Sequence, residues 1–251
     1  MSEERPRERE DPPGLTPPEP SASELLGAAL GGAARSAGID PNSEASTGRV
    51  VWTAMGGWRG VVESVLPSLT FVLAFTLTYD AETGTGNLPL SLGLSVGLAV
   101  VFTLIRLITK SPPGPAISGL IATVAAAALA LFTGRAEDNF IPGFITNVLY
   151  GSAFLVSALI GWSLIGLAVG FLMGEGTAWR KDRRKRRVFF WLAIAWAGLF
   201  AARLAVQVPL YLAGDVTALG TVKLIMGLPL FAPMVAVTWL AVRALYPKQK
   251  A

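Results

Sequence analysis

Residues 180–187 have the sequence RKDRRKRR, with the apolar segment LIGLAVGFLM before them at 164–173 and VFFWLAIAWAGLFAA directly after them at 188–202. Seven of the eight residues are basic, and such a run between two apolar segments is typical of a cytoplasmic loop in a polytopic membrane protein. The run is therefore interpreted first as a signal of topology.

The composition of the whole chain also indicates a membrane protein. Hydrophobic residues make up 52% of the 251 residues and charged residues only 15%, whereas soluble domains carry about 25% charged residues. The sequence contains no cysteine and no histidine, which excludes disulfides, thiol nucleophiles, imidazole acid–base catalysis and the usual zinc sites. We therefore expect no enzymatic activity, no cofactor and no bound metal.

Six apolar runs follow residue 60, and each is long enough for the roughly 20 helical residues that cross a bilayer. They cover residues 60–79, 88–109, 115–133, 144–173, 188–212 and 219–246. The fourth run is longer than a span requires, so residues 142–150 are interpreted either as an interfacial segment or as part of a strongly tilted helix. The sequence thus predicts an all-α, polytopic bundle of six transmembrane spans.

Lysine and arginine are sorted between the two sides of this bundle. The connections at 80–87 and 213–218 contain neither residue, and 134–143 contains only Arg135. The alternate connections hold the 180–187 run together with Arg49, Arg59, Arg106, Lys110, Arg243, Lys248 and Lys250. By the positive-inside rule both termini are predicted to be cytoplasmic. Topology then accounts for the excess of basic residues, and no nucleic-acid partner is expected.

Residues 1–48 differ from the membrane domain at 49–251. They carry a net charge of −5 and are rich in proline and glutamate, which predicts a disordered cytoplasmic tail. Ser21 and Glu24 form a capping box that predicts a short helix over 22–37. This helix is interpreted either as a docking peptide, for a protein partner or for the membrane surface, or as a nascent helix without a role.

A polar pocket is predicted toward the outer side of the membrane. Arg203 lies about 15 residues into the fifth span, just past the midplane at roughly 1.5 Å per residue, where a charge costs about 2.5–3.5 kcal/mol and should face the bundle interior. The predicted pocket comprises Arg203, Gln207, Lys223 and Asn147, with Asp138 and Asn139 near its mouth. It is interpreted either as a site for an anion or polar head group, or as a structural arginine bonded to backbone carbonyls.

A second polar group is predicted at the cytoplasmic side. Glu63 follows Arg59 by one helical turn, and Arg106 and Glu175 lie at the same predicted depth. Glu63 is interpreted either as an i,i+4 partner of Arg59 or as part of a polar gate formed by Glu63, Arg106 and Glu175. Because no second carboxylate is buried nearby, neither a proton relay nor an aspartyl protease is supported.

Three further features concern packing and the membrane surface. The basic run is a candidate contact for anionic lipid head groups through Arg180, Lys181, Arg183, Arg184, Lys185, Arg186 and Arg187, at roughly 1 kcal/mol for each basic residue. Four tryptophans are predicted to anchor the cytoplasmic interface: Trp52, Trp58, Trp179 and Trp191. Gly166 and Gly170 form a GxxxG pair, which favours packing inside the bundle over dimerisation.

Three polar motifs are more specific than simple connectors: GRAEDNFIPG at 134–143, GEGTAWR at 174–180 and RLAVQVPLYLAG at 203–214. On these motifs, residues 54–247 resemble the actinobacterial integral-membrane family catalogued as domain of unknown function 3159. That family is distantly likened to intracellular septation protein A, whose group of inner-membrane proteins is tied to the cell envelope and division. The resemblance therefore implies a bacterial plasma membrane. The resemblance marks Arg135, Glu137, Asp138, Asn147, Glu175, Arg180, Arg203 and Gln207 as motif positions without giving them a role.

Two functions remain open at this point. The first is a non-enzymatic membrane scaffold linked to the cell envelope or division. The alternative is a small transporter or channel-like protein whose pocket around Arg203 takes an anionic or polar solute.

Overall fold

The computed structural model of the protein describes residues 25, 49 and 52 and the continuous segments 57–110 and 114–247, with only the backbone described at 114 and 115. Apart from residue 25, the predicted tail at 1–48 and its helix at 22–37 lie outside the described residues. Lys248 and Lys250 also lie outside them.

Helices form nearly all of the described structure. The segments 57–110 and 114–247 contain eight α-helices: α1 (Gly57–Leu77), α2 (Leu88–Ile108), α3 (Gly114–Thr133), α4 (Ile141–Leu159), α5 (Leu164–Leu172), α6 (Arg183–Leu212), α7 (Val216–Ile225) and α8 (Leu228–Leu245). Short 3-10 helices at Ala136–Phe140 and Ala178–Lys181 precede α4 and α6. Within the described segments the only β-type pairing is an isolated bridge between Asp80 and Thr85.

Six segments of the described chain are long and apolar enough to cross a membrane. They are Gly57–Leu77, Leu88–Ile108, Ala116–Thr133, Ala136–Leu159, Arg183–Leu212 and Val216–Leu245. The prediction of an all-α bundle with six spans is therefore confirmed. The cytoplasmic placement of the termini stays a prediction.

The fourth predicted span, 144–173, is wrong as one continuous helix. Helix α4 ends at Leu159, and Gly161 then adopts a φ of +74°, a left-handed conformation that glycine reaches without steric cost. Ser163 begins α5, because its Oγ accepts a hydrogen bond from the Gly166 amide at 3.4 Å and donates one to the Phe189 carbonyl at 2.9 Å. Residues 142–150, whose placement was open, belong to the first half of α4.

The sixth span is interrupted as well. Helix α7 ends at Ile225, and α8 starts at Leu228. Pro229 lies in the first turn of α8, where its missing amide hydrogen costs nothing, but that same residue could not donate a hydrogen bond within a continuous helix. Lys223 and the residues after Leu228 consequently belong to two separate half-helices.

The predicted loop at 180–187 is wrong in its conformation. A 3-10 helix ends at Lys181, and α6 begins at Arg183. The Asp182 carboxylate caps α6, since its Oδ1 accepts hydrogen bonds from the amides of Arg184 at 2.7 Å and Lys185 at 3.3 Å. Most of the basic run therefore forms the first turns of a helix, and its side chains have a fixed angular spacing.

Two apolar clusters hold the helices together. One joins α1, α2, α3 and α7 around Phe71, Phe140 and Leu219, and the other joins α4, α5, α6 and α8 around Trp179 and Phe189. Trp179 is only 1% exposed, so its prediction as an interface anchor is wrong.

Two glycines explain how closely α5 approaches the ring of Trp179. A Cβ on Gly166 would lie 2.7 Å from the Trp179 ring, and one on Gly170 would lie 2.6 Å from it. The GxxxG pair therefore packs within the bundle.

Candidate functional site

A cavity of about 550 Å³ lies between α4, α6 and the two half-helices α7 and α8. Its lining includes two amide and two cationic side chains: Asn147 from α4, Arg203 and Gln207 from α6, and Lys223 from α7. The structure thus brings together the four residues that were predicted to form the pocket itself.

Helix geometry explains how these side chains reach one space. Arg203 and Gln207 are four residues apart, so they lie on the same face of α6. Asn147 lies near the start of α4, which packs along α6. The interruption after Ile225 ends α7 soon after Lys223, and α8 then contributes Phe231 to the same cavity.

Several nitrogen atoms in this cavity have no hydrogen-bond acceptor. Arg203 Nε and Gln207 Nε2 are buried without a partner, and Gln207 is only 3% exposed. The described chain provides neither an ion pair nor a hydrogen bond for the side chains of Arg203 and Lys223, although the Lys223 Nζ lies 5.0 Å from the centroid of the Phe140 ring. None of the described residues that line the cavity is acidic, so two cationic groups share one uncompensated space.

The remaining wall of the cavity is mainly aromatic. It comprises Phe140, Tyr150, Phe154, Trp196, Phe200 and Phe231. The rings of Phe154, Trp196 and Phe200 are mutually close, with centroids 5.9–6.2 Å apart. The cavity therefore has a cationic, amide-bearing part and an apolar part.

The predicted mouth of the pocket needs a correction. Asp138 does not line the cavity, because it is 4% exposed and accepts a hydrogen bond from the Tyr211 hydroxyl at 2.7 Å. Arg135 lies over the same tyrosine ring at 5.6 Å and pairs with Glu137 at 2.8 Å. Asn139 is half-buried and is not among the lining residues. Asp138 and Arg135 therefore connect this motif to Tyr211 of α6.

The predicted cytoplasmic gate separates into two clusters. Glu63 accepts hydrogen bonds from Arg59 Nε at 2.8 Å and Arg106 Nε at 2.6 Å, which ties α1 to α2. Glu175 has other partners, so grouping it with Glu63 and Arg106 was wrong: equal depth along the membrane does not place two residues on the same side of a bundle.

Glu175 belongs to a cluster at the ends of α5, α6 and α8. It pairs with Lys185 Nζ at 2.6 Å and accepts a hydrogen bond from the Tyr246 hydroxyl at 2.8 Å. The Lys185 ammonium also lies 4.0 Å from the centroid of the Tyr246 ring. Burial and this hydrogen bond raise the pKa of Tyr246 above its usual range, so the hydroxyl stays protonated and holds the end of α8.

A second cavity, of about 510 Å³, lies between the turn at 160–163 and the start of α6. Arg183, Arg186 and Arg187 line it, together with Trp179 and Phe190. The sequence predicted these arginines only as part of a basic loop, and the cavity was not predicted. Their i, i+3, i+4 spacing was the signal that could have placed them on one helix face.

The described residues contain no group of three or more acidic side chains arranged to hold a metal ion. The polar chemistry of both cavities comes from guanidinium, ammonium, amide and hydroxyl groups. Such groups suit anions, because arginine offers several fixed donors and lysine a compact charge.

A family model described as "Protein of unknown function (DUF3159)" matches residues 55–249. The match includes all three polar motifs and both cavities, and it confirms the family that the motifs indicated. No curated protein matches the chain, and no solved structure does. The actinobacterial source and the likeness to septation protein A stay predictions.

Proposed function

The chain belongs to the DUF3159 family of unknown function, and from the geometry of its larger cavity we propose that it is a multipass membrane transporter for anions. In this proposal the protein lies in a bacterial plasma membrane with both termini in the cytoplasm. The cavity at Arg203 and Lys223 then opens from the outer half of the bilayer.

The observation that carries the proposal is the pair of uncompensated cations. A charged side chain near the bilayer centre costs about 2.5–3.5 kcal/mol on insertion scales, and two like charges in one cavity add repulsion. Arg203 and Lys223 have no acidic partner within the described chain, and Arg203 Nε has no acceptor. A bound anion would offset both costs. A purely structural arginine would instead have its donors bonded to backbone carbonyls, and Arg203 Nε has no such bond.

The cavity also limits the kind of anion. Its volume of about 550 Å³ falls within the roughly 300–1,000 Å³ of small-molecule sites. Guanidinium and ammonium groups bind carboxylate or phosphate oxygens well, while the six aromatic side chains suit an apolar body. We therefore propose an organic anion with a carboxylate or phosphate group and an apolar part.

The interrupted sixth span supports transport over static binding. Membrane transporters commonly bind their solutes where a spanning helix is discontinuous. Here Lys223 lies on the half-helix α7 and Phe231 on the half-helix α8, and both line the cavity. A change in the angle between the half-helices would alter the cavity directly.

Uptake of phenyl phosphate into proteoliposomes tests this proposal. We expect the parent protein to exceed protein-free vesicles, and we expect Arg203→Leu to lower uptake at least about tenfold through the loss of a charge-assisted contact. Arg135→Gln is the matched control, because it removes an arginine that pairs outside the cavity. Parent uptake no greater than that of protein-free vesicles would contradict transport, and equal uptake by Arg203→Leu would contradict the site.

The second candidate is the non-enzymatic scaffold linked to the cell envelope or division. The lack of histidine and cysteine in the sequence favours a protein without catalysis, which suits both candidates. The same experiment separates them, because a scaffold requires no uptake that depends on Arg203.

A further inference from the structure

The smaller cavity is separate from the larger one, because the two share no lining residue. The proposed transport does not involve it. Its walls are the end of α4, the turn at 160–163 and the first turns of α6. The left-handed glycine at 161 and the capping serine at 163 form this turn. Ser163 also donates its hydroxyl hydrogen to the Phe189 carbonyl, which fixes the turn against α6.

Three arginines point into this cavity from one helix face. Arg183, Arg186 and Arg187 have the spacing at which helical side chains are neighbours, and all three line the cavity. Within the described chain none of them forms an ion pair. The two nearest acids in the sequence are otherwise engaged, since Asp182 caps α6 through its Oδ1 and Glu175 pairs with Lys185.

The position of these arginines is unfavourable without an anion. They repel one another on one face, and they lie at the positive end of the α6 dipole, where cations are destabilising and anions are stabilising. Asp182 caps the start of α6, but it is a single carboxylate. An anion in the cavity would contact three guanidinium groups at a helix start.

Part of the cavity lining is apolar. It includes Ala158 and Leu159 from α4, and Phe190, which follows the arginines on α6. Leu159 and the adjacent Ile160 are 68% and 63% exposed, so the apolar wall continues onto the outer surface of the bundle. A free inorganic ion would leave this wall uncovered, whereas an acyl chain would cover it.

We propose that this cavity binds the phosphate of an anionic phospholipid from the cytoplasmic leaflet. The phosphate contacts Arg183, Arg186 and Arg187, and an acyl chain lies along Leu159 and Phe190. The site is narrower than a general attraction of the basic run to the membrane surface, because it assigns the lipid to three of the seven basic residues.

Native mass spectrometry of the full chain in a neutral detergent tests this site, with phosphatidylglycerol, phosphatidylcholine and inorganic phosphate as separate probes. The double variant Arg186→Gln/Arg187→Gln removes two cavity charges. The control Lys181→Gln/Arg184→Gln removes two charges of the same run that do not line the cavity. We expect the apparent Kd for phosphatidylglycerol to rise at least about tenfold in the first variant and less than about twofold in the control.

Three results would overturn the proposal. Equal losses in both double variants would indicate diffuse surface charge. Equal affinity of the parent for phosphatidylcholine would remove the preference for an anionic lipid. Inorganic phosphate that binds as tightly as phosphatidylglycerol would indicate a free-anion site.

A conservative variant keeps the test decisive if the first variant does not fold, as judged by size-exclusion chromatography and circular dichroism. Arg186→Lys/Arg187→Lys keeps the charge but loses the planar, bidentate guanidinium geometry. We expect the apparent Kd for phosphatidylglycerol to rise about threefold or more. An unchanged Kd would overturn direct contact between the arginines and the phosphate.

Discussion

Lys223→Met separates a binding role of the larger cavity from a structural one. Lysine and methionine have similar lengths, so the substitution removes the charge with little change in volume. If Lys223 is held next to Arg203 in order to bind an anion, its removal relieves repulsion and desolvation in the empty protein. We therefore expect Lys223→Met to be more stable than the parent and to bind anions less well.

The size of the stabilisation follows from the position of the residue. A lysine at the bilayer centre costs about 2.5–3.5 kcal/mol. Lys223 lies near the end of a ten-residue half-helix and is partly accessible, so we expect a gain of about 1–3 kcal/mol in the free energy of unfolding. For a chain of this length, Tm changes by roughly 2–4 °C for each kcal/mol, which gives a rise of about 2–12 °C.

Thermal unfolding of the purified chain in detergent, with and without phenyl phosphate, measures both effects. We expect phenyl phosphate to raise the Tm of the parent more than that of Lys223→Met. Lys181→Met is the matched control, since Lys181 is exposed and lies in the 3-10 helix before α6. A lower Tm for Lys223→Met, with the response to phenyl phosphate preserved, would refute the reasoning and make Lys223 a structural residue.

Three further predictions concern the bundle itself. Tyr211→Phe removes the hydroxyl that donates to buried Asp138, so we expect a loss of about 1–3 kcal/mol in the free energy of unfolding, with exposed Tyr79→Phe as a neutral control. Gly166→Val should cost about 1–3 kcal/mol by overpacking against Trp179, whereas Gly198→Ala, which has open space at its Cβ, should stabilise α6 by about 0.5–1 kcal/mol. Unfolding curves that ranked either pair in the opposite order would contradict the packing described. Because the sequence has no cysteine, single cysteines at 83 and 181 report topology: an impermeant maleimide should label Thr83→Cys in intact cells and Lys181→Cys only after permeabilisation, and the reverse pattern would invert the orientation.

Local sequence was sufficient for features that depend on length and hydropathy. Six apolar runs predicted six spans, because a helix that crosses a bilayer has no alternative way to satisfy its backbone. Arg203 and Gln207 could be placed on one face because four residues make about one turn. The depth of Lys223 and Asn147 then indicated the same level of the membrane, and the structure gives all four residues one cavity.

Features that depend on the angular arrangement of helices could not be predicted in this way. Glu63 and Glu175 have the same predicted depth in the membrane but lie in different clusters. The hydrogen bond between Tyr211 and Asp138 joins residues 73 positions apart in the sequence. The breaks after Leu159 and Ile225 had local signals in a glycine, a capping serine and a proline. Those signals were outweighed by the length of continuous apolar sequence, which cannot distinguish one long helix from two short ones.

The most direct measurement of the central claim is an experimental structure of the full chain with 4-bromophenyl phosphate, in which anomalous scattering locates the bromine. We expect a bromine peak beside the aromatic wall at Phe154 and Phe200, with the phosphate oxygens within hydrogen-bond distance of Arg203 and Lys223. A cavity without a peak, in which the Arg203 guanidinium instead donates to backbone carbonyls of neighbouring helices, would contradict the claim that these two cations bind an anion.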